Sequence, residues 1–196
     1  YHVLKGEVEL PHSKRKVATW AMFTNIEANL WKNSLEYINN GIYYYSLWNG
    51  DYPYNHMTAV EGALSAGAGM EYPNITVIGE SGNKFFLEVV IVHEVGHNWF
   101  YGILGSDERL HPWMDEGINT YNEARYMELQ HPNTTLMGAK KGAGIYRFFD
   151  LDHFSYSGQY YLGYLLNARR NFDQPITTAA HEMTSLNYGA VTYGKT

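Results

Sequence analysis

The run Phe85-Phe86-Leu87-Glu88-Val89-Val90-Ile91-Val92 is almost wholly apolar and passes without a break into His93-Glu94-Val95-Gly96-His97. A stretch that is apolar nearly all round reads as a buried helix rather than a surface one. On a helix, positions four apart lie about 40° apart around the axis, so His93 and His97 share a face. Two imidazoles at that spacing can hold one zinc ion, with Glu94 beside them to act on water. Eighteen residues separate His97 from a further donor, Glu116, in Trp113-Met114-Asp115-Glu116-Gly117. That interval has room for one turn-rich loop and a second helix returning antiparallel. His93, His97 and Glu116 make a set of two imidazoles and one carboxylate. Such a set leaves the fourth zinc position open, the catalytic rather than the structural pattern.

At 196 residues the chain fits one domain and can bury a core. The expectation is a single domain over residues 1–196, with residues 1–24 an unassigned lead-in. A net charge of −6 argues against nucleic acid as a partner. No apolar run approaches the roughly 18 residues of a membrane span. Cysteine is absent, which excludes disulfides and a thiolate zinc site but does not fix the compartment.

Short β-like runs, Val8–Leu10 and Val17–Phe23, flank the basic patch Lys14-Arg15-Lys16, which reads as a solvated turn. Thr24 with Glu27 makes a capping-box signal. Apolar positions at Trp31, Leu35, Ile38, Ile42 and Tyr45 then predict a helix from about Ile26 to Trp48, weakened at Gly41. Met57–Glu61 reads as a strand. The glycine-rich stretch Gly67–Asn74 leads into the β-rich run Ile75–Gly79, and Pro73 places this strand at a sheet edge. Glycines at such an edge admit an extended peptide beside the sheet, or form a plain turn with Glu71 exposed. Beyond Glu116 a helix runs to about Leu129, stopped by His131-Pro132. Glu123 lies seven positions past Glu116, on the same face, where it could orient a zinc-bound histidine. Asn119 and Thr120 are rivals for that role. Residues 133–157 carry no clear pattern, and Tyr160–Arg170 reads as helical.

Three separated motifs resemble one family, the gluzincin aminopeptidases of the aminopeptidase N and leukotriene-hydrolase type. Its zinc signature corresponds to His93, His97 and Glu116. Its Gly-Ala-Met-Glu-Asn exopeptidase motif looks like Ala68-Gly69-Met70-Glu71-Tyr72, with three positions changed. Its tyrosine in a Tyr-x-Lys-Gly context looks like Tyr193-Gly194-Lys195-Thr196, with Thr for the last Gly. The likeness covers about residues 25–196.

The resemblance implies an α+β, thermolysin-like zinc peptidase domain. It has a small β-lobe with an edge strand near residues 68–72, and a helical lobe carrying both zinc helices. It implies one zinc per chain and Glu94 as general base. It makes Tyr193 an oxyanion donor, with Tyr188 its rival. Glu71 becomes the anchor for a substrate's free α-amino group, and the Ala68 and Gly69 backbone holds the peptide. The implied partners are peptides with a free N-terminus. The family's β-rich domain before this region and helical domain after it lie outside these residues and would pack on them. A thermolysin-like endopeptidase, a catalytically silent zinc module and an epoxide hydrolase are the competing readings.

Overall fold

A computed structural model describes residues 1–64 and 68–195; Gly67 and Thr196, which belong to the motifs above, lie outside the described residues. The chain forms two compact units, Tyr1–Ile103 and Leu104–Thr196.

The first unit is built on a five-stranded sheet. Strands β1 (His2–Glu9) and β2 (Lys16–Phe23) form an antiparallel hairpin, so the lead-in residues are part of the sheet. The basic patch does sit at this hairpin's turn, where Lys14 has φ of 61°. It is more than a solvated turn, however. The Arg15 guanidinium donates to the Tyr54 carbonyl at 2.8 Å and to the Tyr52 carbonyl, and Lys16 pairs with Glu7. In β2 the residues Val17, Thr19, Ala21 and Phe23 alternate inward, as a half-buried strand requires.

The expected helix from Ile26 begins later. A 3-10 turn at Trp31–Asn33 opens into α1 (Ser34–Asn49). The capping box does not form, because its carboxylate is used elsewhere. Glu27 accepts the amides of Ser81 at 2.9 Å and Gly82 at 2.7 Å, while the Thr24 hydroxyl accepts the Ile26 amide at 3.1 Å. Helix α1 buries Tyr37, Ile38, Gly41, Ile42 and Tyr45, one stripe at helical spacing.

Strands β3 (His56–Glu61), β4 (Gly69–Met70) and β5 (Ile75–Ile78) complete the sheet in the order β1-β2-β3-β5-β4. Strands β2, β3 and β5 run parallel, and β4 pairs antiparallel with β5. The sheet edges are therefore β1 and β4, the latter within the expected 68–72 region. The run after Pro73 is not an edge: Ile75–Ile78 lies inside the sheet, and Pro73 sits in the turn closed by the Ile75 amide on the Tyr72 carbonyl at 3.1 Å.

Helix α2 (Lys84–Gly96) is capped by Asn83, whose side chain accepts the Phe86 amide at 2.8 Å. It packs on α1 and against β4 and β5, so the helix carrying His93 belongs to the sheet-bearing unit and not to a helical lobe. Gly41 sets how closely α1 approaches it: an added Cβ would lie 3.2 Å from Val95 Cγ1 and 3.7 Å from the Val92 Cα.

The second unit is helical. A π-turn at Trp113–Gly117 leads into α3 (Ile118–Gln130), which ends before Pro132. The stretch without a clear pattern holds short turns, an isolated antiparallel bridge between Thr134 and Lys140, and α4 (Gly144–Phe148). Helix α5 (Gly158–Arg169) follows, and the tail forms one turn at Ser185–Asn187 and a π-turn at Tyr188–Thr192. Among the described residues, no helix is long and apolar enough to cross a membrane.

Gly41→Val is expected to lower stability by about 1–3 kcal/mol despite its removal of a helix glycine, because the extra methyls overpack the α1–α2 crossing. Urea denaturation measures this, and an unchanged midpoint would mean that the crossing does not depend on the missing side chain.

Candidate active site

In the first unit the candidate residues gather at the C-terminal end of α2. His93 lies in its last turn and His97 caps it. Their ring centroids are 4.8 Å apart at 79°. His97 is 2% exposed, and its Nδ1 lies 3.3 Å from the Phe100 carbonyl oxygen. A carbonyl can only accept, so Nδ1 is the donor in this contact and Nε2 is the ring nitrogen that could bind a metal. The chain can fold back to supply that carbonyl because the helix unwinds here, with the Trp99 amide on the Gly96 carbonyl at 2.9 Å and the Gly102 amide on the His97 carbonyl at 2.9 Å. Trp99 and Phe100 are buried against Tyr45, and Trp99 also against Tyr52, which anchors this turn in the core.

Glu94 is 5% exposed. One oxygen each of Glu71 and Glu94 and a ring nitrogen of His97 all lie within 4.8 Å of one another. Glu71 follows directly on β4, which is outermost in the sheet order. That strand is held by the Thr76 hydroxyl, which donates to the Met70 carbonyl at 2.9 Å, and by the Gly79 amide on the Ala68 carbonyl at 2.7 Å. Gly69 faces Glu94 so closely that any Cβ there would overlap the Glu94 carboxyl group and its Cγ. The glycine is thus required by the buried carboxylate behind it.

In the second unit Glu116 sits half-buried in the π-turn that opens α3. The seven positions from Glu116 on to Glu123 therefore cross from π to α geometry. Glu123 is 2% exposed and accepts the Tyr160 hydroxyl at 2.8 Å. The rivals Asn119 and Thr120 are buried on the same helix. A cavity of about 300 Å³ opens beside Tyr193, lined also by Gly117, Thr120, Tyr160, Tyr161 and Tyr164. The residues after Tyr193 fix its position. A Cβ at Gly194 would lie 2.7 Å from the Tyr160 carbonyl oxygen, and Lys195 pairs with Asp173 at 3.1 Å. Tyr188 packs edge-on against Tyr193, with ring centroids 6.1 Å apart.

Tyr160 had no signal in the sequence, being one of 18 tyrosines. Burial first, and then the negative charge of Glu123, raise its hydroxyl well above the ordinary value of 10.0. The same two causes push Tyr156 up. Both stay protonated donors at any neutral working pH.

The fold places this chain among known proteins. No protein-family model matches it. A curated relative, leucine aminopeptidase 2-1 of Meyerozyma guilliermondii, is 36% identical over 70 residues, which is 34% of this chain and 11% of that protein. The solved structure of an M1 zinc metallopeptidase from Deinococcus radiodurans matches with a TM-score of 0.59 at 17% identity, over 98% of this chain and 38% of that one. A mutant of the same peptidase bound to a Tyr-Ser-Ala substrate gives 0.57 at 16% identity, over 98% of this chain and 38% of that one. The structural neighbours are thus M1 zinc metallopeptidases, and the α+β fold is theirs. The chain spans well under two thirds of the length of each of these proteins.

Two outcomes are expected. Gly69→Ala should cost about 1–3 kcal/mol of stability, because the buried Glu94 side chain must be displaced; a urea midpoint equal to that of the parent would mean that Glu94 moves aside freely. For Tyr156 and Tyr160, the folded-state values are raised. The stability they contribute is complete below the unfolded-state value near 10 and is lost as pH rises beyond it. The melting temperature should therefore fall above about pH 10, and more gently in Tyr160→Phe.

Proposed function

We infer that this chain is the catalytic part of a zinc-dependent aminopeptidase, which hydrolyses the first peptide bond of peptides with a free N-terminus. The observation that carries the reading is the grouping of Glu71 with Glu94 and His97 within 4.8 Å. It brings a carboxylate suited to an α-ammonium group next to the residues suited to hydrolysis. The fold of M1 zinc metallopeptidases and the partial likeness to a leucine aminopeptidase support it.

His93, His97 and Glu116 are the proposed zinc ligands. The donor set fits zinc by type and count. The His97 Nδ1 contact with the Phe100 carbonyl fits as well, since it leaves Nε2 as the ligand atom. Zinc bound there would lower the pKa of a water toward about 7 and polarise the scissile carbonyl.

The chain's own residues do the rest. Glu94 accepts the proton of the attacking water and returns it to the leaving amine. Its buried position at the helix end, next to His97, supports this. Tyr193 donates its hydroxyl to the oxyanion that develops on the carbonyl. Lys195 and Gly194 hold the tail in which Tyr193 sits. Glu71 pairs with the α-ammonium group and disfavours a blocked, neutral N-terminus, which would leave the carboxylate unpaired. The backbone of Ala68 and Gly69 receives the peptide as an added strand at the sheet edge. Glu123 is proposed to orient a zinc-binding histidine, with the Tyr160 hydroxyl fixing the carboxylate.

Metal analysis should find one zinc per chain, and a panel of amino-acid anilides should be cleaved only when the amine is free. Equal cleavage of N-acetylated anilides would replace this reading with an endopeptidase. Glu94→Gln should keep zinc and lower kcat by about 10²–10⁴. Tyr193→Phe should lower kcat by about 10²–10³ with little change in KM. If Tyr188→Phe has that effect instead, the oxyanion donor is the neighbouring tyrosine.

A further inference from the structure

Asn98 follows the second histidine directly, and no role has yet been given to it. Its side chain is 4% exposed. The amide nitrogen donates to the Val95 carbonyl at 3.0 Å, which ties the side chain to the last turn of α2. The amide oxygen points away from the helix and accepts the backbone amide of Asn74 at 3.1 Å. Asn74 closes the turn that begins just after Glu71, and it is held in the left-handed region at φ of 63°. The Asn74 carbonyl accepts the Thr58 amide at 2.9 Å, so this turn is also tied to the centre of the sheet.

A third group completes the junction. The hydroxyl of Tyr52, which is fully buried, lies 3.0 Å from Asn74 Oδ1 and 3.3 Å from Asn98 Oδ1. Its single proton can serve either acceptor, with the His56 carbonyl at 3.1 Å and Met57 Sδ at 3.4 Å also in reach. Burial holds this hydroxyl protonated, so it remains a donor. Asn98 is the one side chain of the three that reaches both the helix bearing Glu94 and His97 and the turn following Glu71.

We propose that Asn98 is a positioning residue for recognition of the substrate's amine. By bridging the end of the HExxH helix to the Tyr72–Asn74 turn, it fixes the distance of the Glu71 carboxylate from Glu94 and His97. This rests on the role of Glu71 as the amine anchor. Apolar packing alone would not set that distance, because Tyr72 and Pro73 are exposed and Glu71 is only half-buried. An amide accepting a backbone N–H supplies a directional constraint that packing does not.

The test uses the zinc-loaded protein and two uncleavable probes, L-leucinol and N-acetyl-L-leucinol, with affinity read by calorimetry. Asn98→Ala should weaken L-leucinol about tenfold and the acetylated probe less than about twofold, with zinc content unchanged. In a Glu71→Ala background the same substitution should add less than about twofold, because the two residues act through one contact. Equal weakening of both probes, or a full tenfold loss added to that of Glu71→Ala, would overturn the proposal and leave Asn98 a structural residue. A distinct result, in which Glu71→Ala itself leaves the preference for the free amine intact, would remove the anchor and the proposal with it. If Asn98→Ala does not fold, Tyr52→Phe carries the same test, with a smaller loss for L-leucinol expected in the same direction.

Discussion

A carboxylate taken out of water costs several kcal/mol unless its surroundings are arranged for it. Glu94 imposes that constraint on the first unit. It is buried at the end of a helix whose other faces are packed with Leu87, Val90, Ile91 and Val95. The nearest strand approaches so closely that only glycine fits at position 69. The sheet edge, the helix end and the Glu71-bearing turn are placed with respect to this one side chain. The bare backbone at Gly69 brings the strand up to the carboxylate, and the amide of Asn98 joins the turn to the helix.

The same economy appears one layer further back. Helix α2 has little polar surface of its own, so its position depends on what lies behind it. Gly41 brings α1 into direct contact with Val92 and Val95, and Tyr45 and Tyr52 enclose Trp99 and Phe100. Burial of one such aromatic or branched side chain contributes on the order of 1.5–3 kcal/mol. The imidazole of His97 is therefore presented by a rigid support, and its proton is assigned by a carbonyl that belongs to that same aromatic turn.

Features set by near neighbours in the chain were legible in the sequence. The buried character of α2, the shared face of His93 and His97 and the stop at Pro132 all follow from local pattern, while the edge near Gly69 was legible only through the family resemblance. Features decided by distant partners were not. Thr24 and Glu27 have the spacing of a helix cap, yet the Glu27 carboxylate is taken by amides 54 and 55 residues away. Pro73 signals an edge, but the edge falls on the strand before it, because a turn intervenes before Ile75. Gly41 looks like a weak point in a helix until the second helix is placed against it. The roles of Asn98 and Tyr160 depend wholly on contacts across the fold, and nothing adjacent to either residue announces them. The helix with the histidines was expected in a helical lobe, whereas its apolar faces are satisfied by α1 and the sheet.

An open sheet edge is also a hazard, because unpaired backbone groups can template the addition of another chain and so seed aggregation. At the edge beside the candidate site the outermost strand spans only Gly69–Met70. On its far side the chain turns at once through Tyr72 and Pro73, and proline has no N–H to offer a ladder. A neighbouring copy would find too few consecutive hydrogen-bonding groups to propagate a sheet. This edge can therefore remain accessible without templating a neighbouring copy, whereas the opposite edge, the eight-residue β1, has no such protection from brevity.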